Sequence, residues 1–451
     1  MAKNHTFEKS LFIFRRDLRL EDNTGLIHAL ENSKTVIPIF IYDNFFINNF
    51  KDSNFRWNFL NESLLDLNAQ LVKRGSTLQI FKGNPKSVLK KIFETQNIDS
   101  VFLNADISFY SKKRDSEILQ ICKESNVELS SHMDFFLQNP TVIKTNMDRP
   151  YTIYSQFYKK ARTFPVRKIR KNSLSNFYNK KISNYSIFAS NGQEDSFGGR
   201  TNALAILKTL DKFKNYDSTR DYPSNLTTRL SAHIKFGTLS IREIHNSIQE
   251  NLGSSHTLMR EIYWREFFNY VCFHFPSSTQ KSFKKKYQKF PWIKSKVLFA
   301  AWCSGNTGFP IVDAGMRELN KTGFMHNRVR MIVGSFLTKD LHIDWKLGER
   351  YFAKKLVDYD PAVNSGNWQW VASTGCDSVP YFRIFNPWIQ QEKFDKECIY
   401  IKKWIPELGP FSPEVVHNLW KTFPENLNYS SPIVNHKVEA QKTKELFKKL
   451  S

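Results

Sequence analysis

Three stretches of this chain carry chemically able side chains, two of them at helical spacing. In REIYWREFF, Glu261, Trp264 and Arg265 stand at i, i+3 and i+4 and therefore share one helix face. A carboxylate, a large ring and a guanidinium together could read the edge, face and phosphate of a nucleotide. The same trio could equally be a surface ion pair beside a core tryptophan. In MHNRVRM, Asn327 and Met331 lie one turn apart, with Arg328 and Arg330 offset around them. In VDYDPAVNSGNWQW, Asp358 and Asp360 flank Tyr359, and Pro361 and Gly366 are expected to break the helix. Paired aspartates can bind a metal, but no histidine or third carboxylate stands nearby. Hydrogen bonds accepted from a ligand or an arginine suit them better, and a solvated turn is the plain alternative.

Tryptophan sharpens this pattern. Nine of the ten tryptophans fall between Trp264 and Trp420. Aromatic crowding usually means core. Here several rings sit among Arg, Asn, Ser and Gly, as in NSGNWQWVASTG, which suits a flat π-ligand with a phosphate tail or unstacked bases.

Charge divides the chain. Residues 1–130 hold 18 Lys+Arg against 16 Asp+Glu, whereas residues 131–451 hold 48 against 27. The basic excess points to a polyanion for the later part, with solubilising charge as the bland alternative. The five cysteines are scattered, odd in number and without a CxxC, so neither a disulfide framework nor a zinc site is expected. No apolar run reaches the ~18 residues of a membrane span, and the MAKNHTFEKSLFIF start lacks the apolar core of a signal peptide. An intracellular protein, cytoplasmic and of bacterial type, is expected.

Elements to position these residues can be read in order. Ser10–Phe14, Thr35–Tyr42, Thr77–Phe81 and Ser100–Leu103 read as strands. Helices read between them: one after Asp22 or Asn23, an amphipathic one over Arg56–Lys73, one opened by Asn84–Pro85 and one over Ser111–Glu124. Alternating strands and helices imply a Rossmann-like parallel α/β sheet over 1–130. No GxGxxG follows the first strand, so this domain is a poor main cofactor site. Residues 131–195 read as a long, mostly irregular connection. From 196 to 451 strand signals stop, and an all-α domain is expected, with helices at Thr201–Phe213, Ile241–Asn251, Thr257–Phe273, Pro310–Asn320, Arg328–Leu341 and Glu349–Val357.

At this point a resemblance carries further. The chain resembles the photolyase/cryptochrome family and is most similar to its class I cyclobutane pyrimidine dimer (CPD) photolyases. The similarity runs from FIFRRDLRLEDNTGL to WIPEL and PIVNHK. It is densest in GFPIVDAGMRELNKTGFMHNRVRMIVGSFLTKDLHIDW and NSGNWQWVASTGCDSVPYFRIFNP.

The resemblance implies FAD in the helical domain and light-dependent repair of dimers by electron transfer from the excited, reduced flavin. It implies that Tyr216, Thr227, Thr228, Arg229, Leu230 and Ser231 hold the diphosphate and ribityl chain. Arg265, Arg330, Asp358, Asp360 and Asn364 would lie against the flavin and its ribose. Asn364 matches the position facing flavin N5, where repair enzymes carry Asn, plant cryptochromes Asp and many animal cryptochromes Cys. Glu261, Asn327 and Met331 match lesion contacts, Trp264 and Trp370 its aromatic walls, and Arg328 and Arg383 DNA contacts. Trp368, Trp345 and Trp292 match an electron relay from flavin to surface. Relatives acting on (6-4) photoproducts place histidines near Asn327 and Met331, so the CPD is the implied substrate, bound by a monomer. The alternative is a cryptochrome-like blue-light photoreceptor. The chain departs from the family at Leu258 and Phe324, where tryptophan is common. NADISFYSKKRD matches the antenna region without the acidic residue that commonly holds folate, so a second chromophore of folate or deazaflavin type has no assigned anchor.

Overall fold

The computed structural model describes residues 5–50, 53–183, 185–188 and 197–450. Five strands, β1 (Phe7–Phe14), β2 (Ser33–Asp43), β3 (Gln79–Gly83), β4 (Ser100–Asn104) and β5 (Glu128–His132), form one sheet. The order is β3-β2-β1-β4-β5 and every pairing is parallel. Parallel strands need crossover helices on both faces. Accordingly β1 and β2 are apolar runs rather than alternating ones. Leu11, Ile13, Ile37, Ile39, Val101 and Leu103 pack on Val88, Leu89, Ile118 and Ile121 of the Pro85–Thr95 and Phe109–Glu124 helices.

Local signals fix these elements. The Asn23 side chain caps the Thr24–Asn32 helix by accepting from the Leu26 amide, and Asn84 caps Pro85–Thr95 from the Ser87 amide. Leu60, Leu64, Leu67 and Leu71 form the buried stripe of the Asn54–Val72 helix. β5 escapes the sequence reading because ELSSH is polar and its strand is half-exposed at a sheet edge. The short Asn44–Phe50 helix, which buries no residue, escapes it as well. Within 131–195 the Tyr154–Ala161 helix interrupts the irregular run.

Two compact units emerge: residues 1–150, 157–212 and 229–266, and residues 151–156, 213–228 and 267–451. The division passes through the Thr257–His274 helix after Glu266. In the first unit Asp22, Asp134, Arg19 and Arg242 form a buried ion cluster. Arg242 donates to Asp22 at 2.7 Å and to Asp134 at 2.9 Å.

The second unit is helical. Its core gathers Trp302, Phe309, Phe336, Trp345, Phe352, Trp368 and Trp388. The run read as helical over Arg328–Leu341 is continuous, α over Asn327–Ser335 and then a π-turn over Phe336–Asp340. One sequence reading needs correction here. Pro361 and Gly366 do not break a helix, since Pro361–Val371 is continuous. Pro361 occupies the first turn, where no N–H is needed, and Asp360 caps it by accepting from the Ala362 and Val363 amides. Gly366 is tolerated because the Phe268 ring takes the space of a side chain: a Cβ would lie 2.2 Å from it.

Candidate functional site

The second unit brings most of the singled-out residues onto three helices and one turn. The Asn327–Ser335 helix carries Asn327, Arg328, Arg330 and Met331, with Asn327 exposed and Met331 half-buried. His326 caps it, its Nδ1 accepting from the Arg328 amide at 3.1 Å. Burial, aided by the Arg330 charge, pulls His326 down to about 4, so it is neutral at physiological pH. Arg330 donates to the Met325 carbonyl and, at 2.9 Å, to Asp358. The Asp-x-Asp pair thus does accept from an arginine at one member and cap a helix with the other. Among the described residues no cluster of three or more His, Cys, Asp or Glu could hold a metal.

Asn364 is buried on the Pro361–Val371 helix. Its Nδ2 donates to Glu349 Oε1 at 3.0 Å and to the Glu349 carbonyl at 3.2 Å, joining this helix to Trp345–Lys355. One turn on, Trp368 packs edge-to-face on Phe352, centroids 5.0 Å apart, and on Trp302, 6.0 Å apart. Gly348 permits this, since a Cβ there would meet the Trp368 ring at 2.2 Å. Trp345 is buried with Nε1 3.4 Å from Ser282 Oγ, while Trp292 and Trp370 are half-buried. Trp302 was missed by the sequence reading; nothing in AAWCSG separates it from a core tryptophan. Glu349 was missed too, because GERYF reads as a solvated helix face.

Arg328 is engaged by Asp221 at 2.7 Å and lies over the Phe394 ring at 4.4 Å. Arg383 is exposed on the turn after Pro380. Tyr216 opens the short Tyr216–Thr219 helix, and Thr227 and Thr228 follow in half-exposed chain.

The remaining residues belong to the first unit. Arg229 adopts a left-handed conformation, φ 50°, at the start of the Leu230–Phe236 helix, whose first turn includes exposed Ser231. Glu261, Trp264 and Arg265 occupy half-exposed positions of the Thr257–His274 helix, while Ile262, Tyr263 and Glu266 are buried, so the shared face is real. Arg265 donates to Glu266 and, at 2.8 Å, to the Phe135 carbonyl.

The donor set has a definite chemistry. Asp358 and Asp360 offer carboxylate acceptors for hydroxyl and ring N–H groups, Asn364 a buried amide, and Arg330 a cation, beside buried aromatic rings. A flat, hydroxylated, anionic cofactor such as FAD fits these residues, and a metal ion does not.

Comparison with known proteins agrees. Residues 10–171 match the DNA photolyase model and residues 258–449 the FAD binding domain of DNA photolyase. A deoxyribodipyrimidine photo-lyase of Synechococcus sp. is 34% identical, the alignment covering 98% of this chain and 96% of that protein. An archaeal photolyase from Sulfolobus tokodaii, solved with two FAD molecules, superposes with a TM-score of 0.87 at 39% identity, over 98% of this chain and 100% of its own. A cryptochrome from Synechocystis sp. superposes at 0.88 with 27% identity, over 99% and 100%. The chain belongs to the DNA photolyase family. It is an enzyme of that family, and FAD is its cofactor.

Proposed function

We propose that this chain repairs cyclobutane pyrimidine dimers in DNA under blue light, acting as a monomer inside the cell. The observation that carries the reading is the carboxamide of Asn364, buried and held in one orientation by Glu349. Bound, fully reduced FAD supplies light-driven donation of one electron to the dimer and takes it back after the ring has opened.

The chain's own residues bind and orient. Tyr216, Thr227, Thr228, Arg229, Leu230 and Ser231 hold the cofactor's diphosphate and ribityl chain. Asp358, Asp360, Arg330 and Arg265 fix its ribose and ring edge, and Asn364 meets the flavin. Asn327, Met331 and Glu261 take the role of lesion contacts, and Trp264 and Trp370 that of aromatic walls. Extruding a damaged pair costs less than extruding an intact one. Lys and Arg of the basic region, Arg328 and Arg383 among them, engage the backbone. Trp368, Trp345 and Trp292 relay electrons to an oxidised flavin.

A second chromophore has a candidate seat beside the carboxyl end of β2, where ligands favour open α/β sheets. There Phe45 stacks on Tyr110 at 3.9 Å, with Phe46 edge-on at 5.2 Å. The Sulfolobus relative's two FAD molecules favour such a seat. The cryptochrome-like reading keeps the support of the Synechocystis neighbour, at lower identity, and asparagine at 364 speaks against it.

The deciding experiment illuminates the reduced protein with thymine-dimer oligonucleotides and separates the products. Restored thymines in the light alone are expected. Unchanged dimers would move the chain to the photoreceptor reading.

A further inference from the structure

The turn that carries Arg383 is built on little of its own. Its amide donates to the Pro380 carbonyl at 3.0 Å, and the side chains of Phe382 and Arg383 both stand in solvent, Phe382 at 62% exposure. An arginine and a bare aromatic ring on one exposed turn suit a nucleic-acid strand. What fixes the turn lies beneath it.

Two contacts do so. The Tyr381 ring stacks on Phe447 of the His436–Lys448 helix, with centroids 5.6 Å apart and planes within 4°. Lys339, on the π-turn Phe336–Asp340, sends its Nζ to the Arg383 carbonyl at 3.1 Å. Lys339 is 1% exposed, and among the described residues no carboxylate lies within ion-pair distance of it. The adjacent Asp340 turns instead to His436, and His342 pairs with Glu439 at 2.8 Å.

A buried amine with no ion pair, supported only by the nearby charge of Asp340, is costly, and methionine would fill the same space without that cost. Burial pulls the amine down to about 7. Its one hydrogen bond goes to the backbone of the exposed turn. The C-terminal helix secures the lysine's own backbone, with Thr443 Oγ1 donating to the Lys339 carbonyl at 2.6 Å. The π-turn matters as well, because such bulges often mark function.

We propose that Lys339 is a positioning residue for DNA binding: it holds the Pro380–Arg383 turn so that Arg383 and Phe382 meet the strand, with the C-terminal helix as its clasp. The proposal rests on the reading of Arg383 as a DNA contact.

The test is a double-mutant cycle on the full-length, FAD-loaded protein, with a fluorescent dimer-containing duplex as probe. Arg383→Ala should weaken binding roughly tenfold and reduce the slope of log K against log salt by about 0.9. Lys339→Met should weaken binding several-fold while keeping one FAD per chain, and should speed amide exchange over residues 381–385. In the Arg383→Ala background Lys339→Met should cost almost nothing more, since both act through one contact. Tyr381→Leu, which removes the stack and keeps the lysine, should behave the same way and serves if Lys339→Met does not fold. Parental binding by Arg383→Ala would overturn the DNA-contact reading itself. A weak Arg383→Ala beside a parental Lys339→Met, or losses that add, would overturn the positioning role alone.

Discussion

The Asn364 carboxamide donates twice to Glu349, once to the carboxylate at 3.0 Å and once to the carbonyl at 3.2 Å. The amide nitrogen is therefore committed to the neighbouring helix, and the amide oxygen must point away from Glu349. Burial raises the Glu349 carboxyl above the ordinary range, opposed by hydrogen bonds from Asn364, Tyr359 and Ser365. Glu349→Gln keeps an acceptor and should stay near parental repair. Glu349→Leu leaves the amide only its 3.2 Å bond to the main-chain carbonyl, loosens it at ~1–2 kcal/mol for the lost bond, and should slow single-turnover repair about tenfold. Equal rates for Leu and Gln variants would remove Glu349 from the site.

Trp368→Phe should slow or abolish photoreduction of oxidised FAD and largely spare repair once the flavin is reduced chemically. Phenylalanine keeps most of the packing against Phe352 and Trp302 but is far harder to oxidise. The measurement is flavin bleaching under blue light with an external reductant. Parental rates would take Trp368 out of the relay.

How far the sequence alone reaches depends on the kind of signal. The sheet was legible because β1, β2 and β4 are apolar runs separated by capped helices, and Asn23 and Asn84 are caps that local physics dictates. β5 was not, because ELSSH has no apolar face to betray it. The face shared by Glu261, Trp264 and Arg265 followed from spacing alone, and its half-exposure agrees. The helix through Gly366 was hidden, since its cause is the Phe268 ring in a distant helix, a tertiary fact. Glu349 and Lys339 were hidden for the same reason: a charged residue in a helical run reads as solvated until packing shows Lys339 buried and Glu349 half-buried and bonded to Asn364.

The buried ion cluster of the first unit makes an acid-stability prediction. Burial pushes the Asp22 and Asp134 carboxyls up, but the guanidinium charges of Arg242 and Arg19 more than reverse it, and both end below their ordinary values. A depressed carboxylate contributes stability that is present above its unfolded pKa, ~4, and lost as pH falls through that value and below. Arg242→Met leaves the two buried carboxylates short of a partner and should cost roughly 3–5 kcal/mol near neutral pH. It should also flatten the decline of the urea midpoint toward acid. An undiminished acid slope in the variant would assign that slope to other groups.

Substrate choice turns on what stands around Asn327. Asn327 and Met331 lie one turn apart on the same helix, the first exposed and the second half-buried, so one ligand can meet both. An amide donates and accepts, and a thioether offers a soft apolar contact, but neither delivers a proton. The neighbouring histidine does not fill the gap. His326 Nδ1 is occupied by the Arg328 amide, and with its titration at about 4 the ring is uncharged near pH 7. Opening a cyclobutane ring by a borrowed electron needs no such acid, whereas reversing a (6-4) adduct moves a group between bases and calls for one. The reduced protein under blue light should therefore restore thymines from cyclobutane dimers and leave (6-4) lesions intact between pH 6 and 8, as read by chromatography of oligonucleotides carrying each lesion. Asn327→His alone should not add (6-4) repair, since the rest of the pocket is unchanged. Repair of the (6-4) lesion by the parent chain would show that another residue donates the proton and would overturn the substrate assignment.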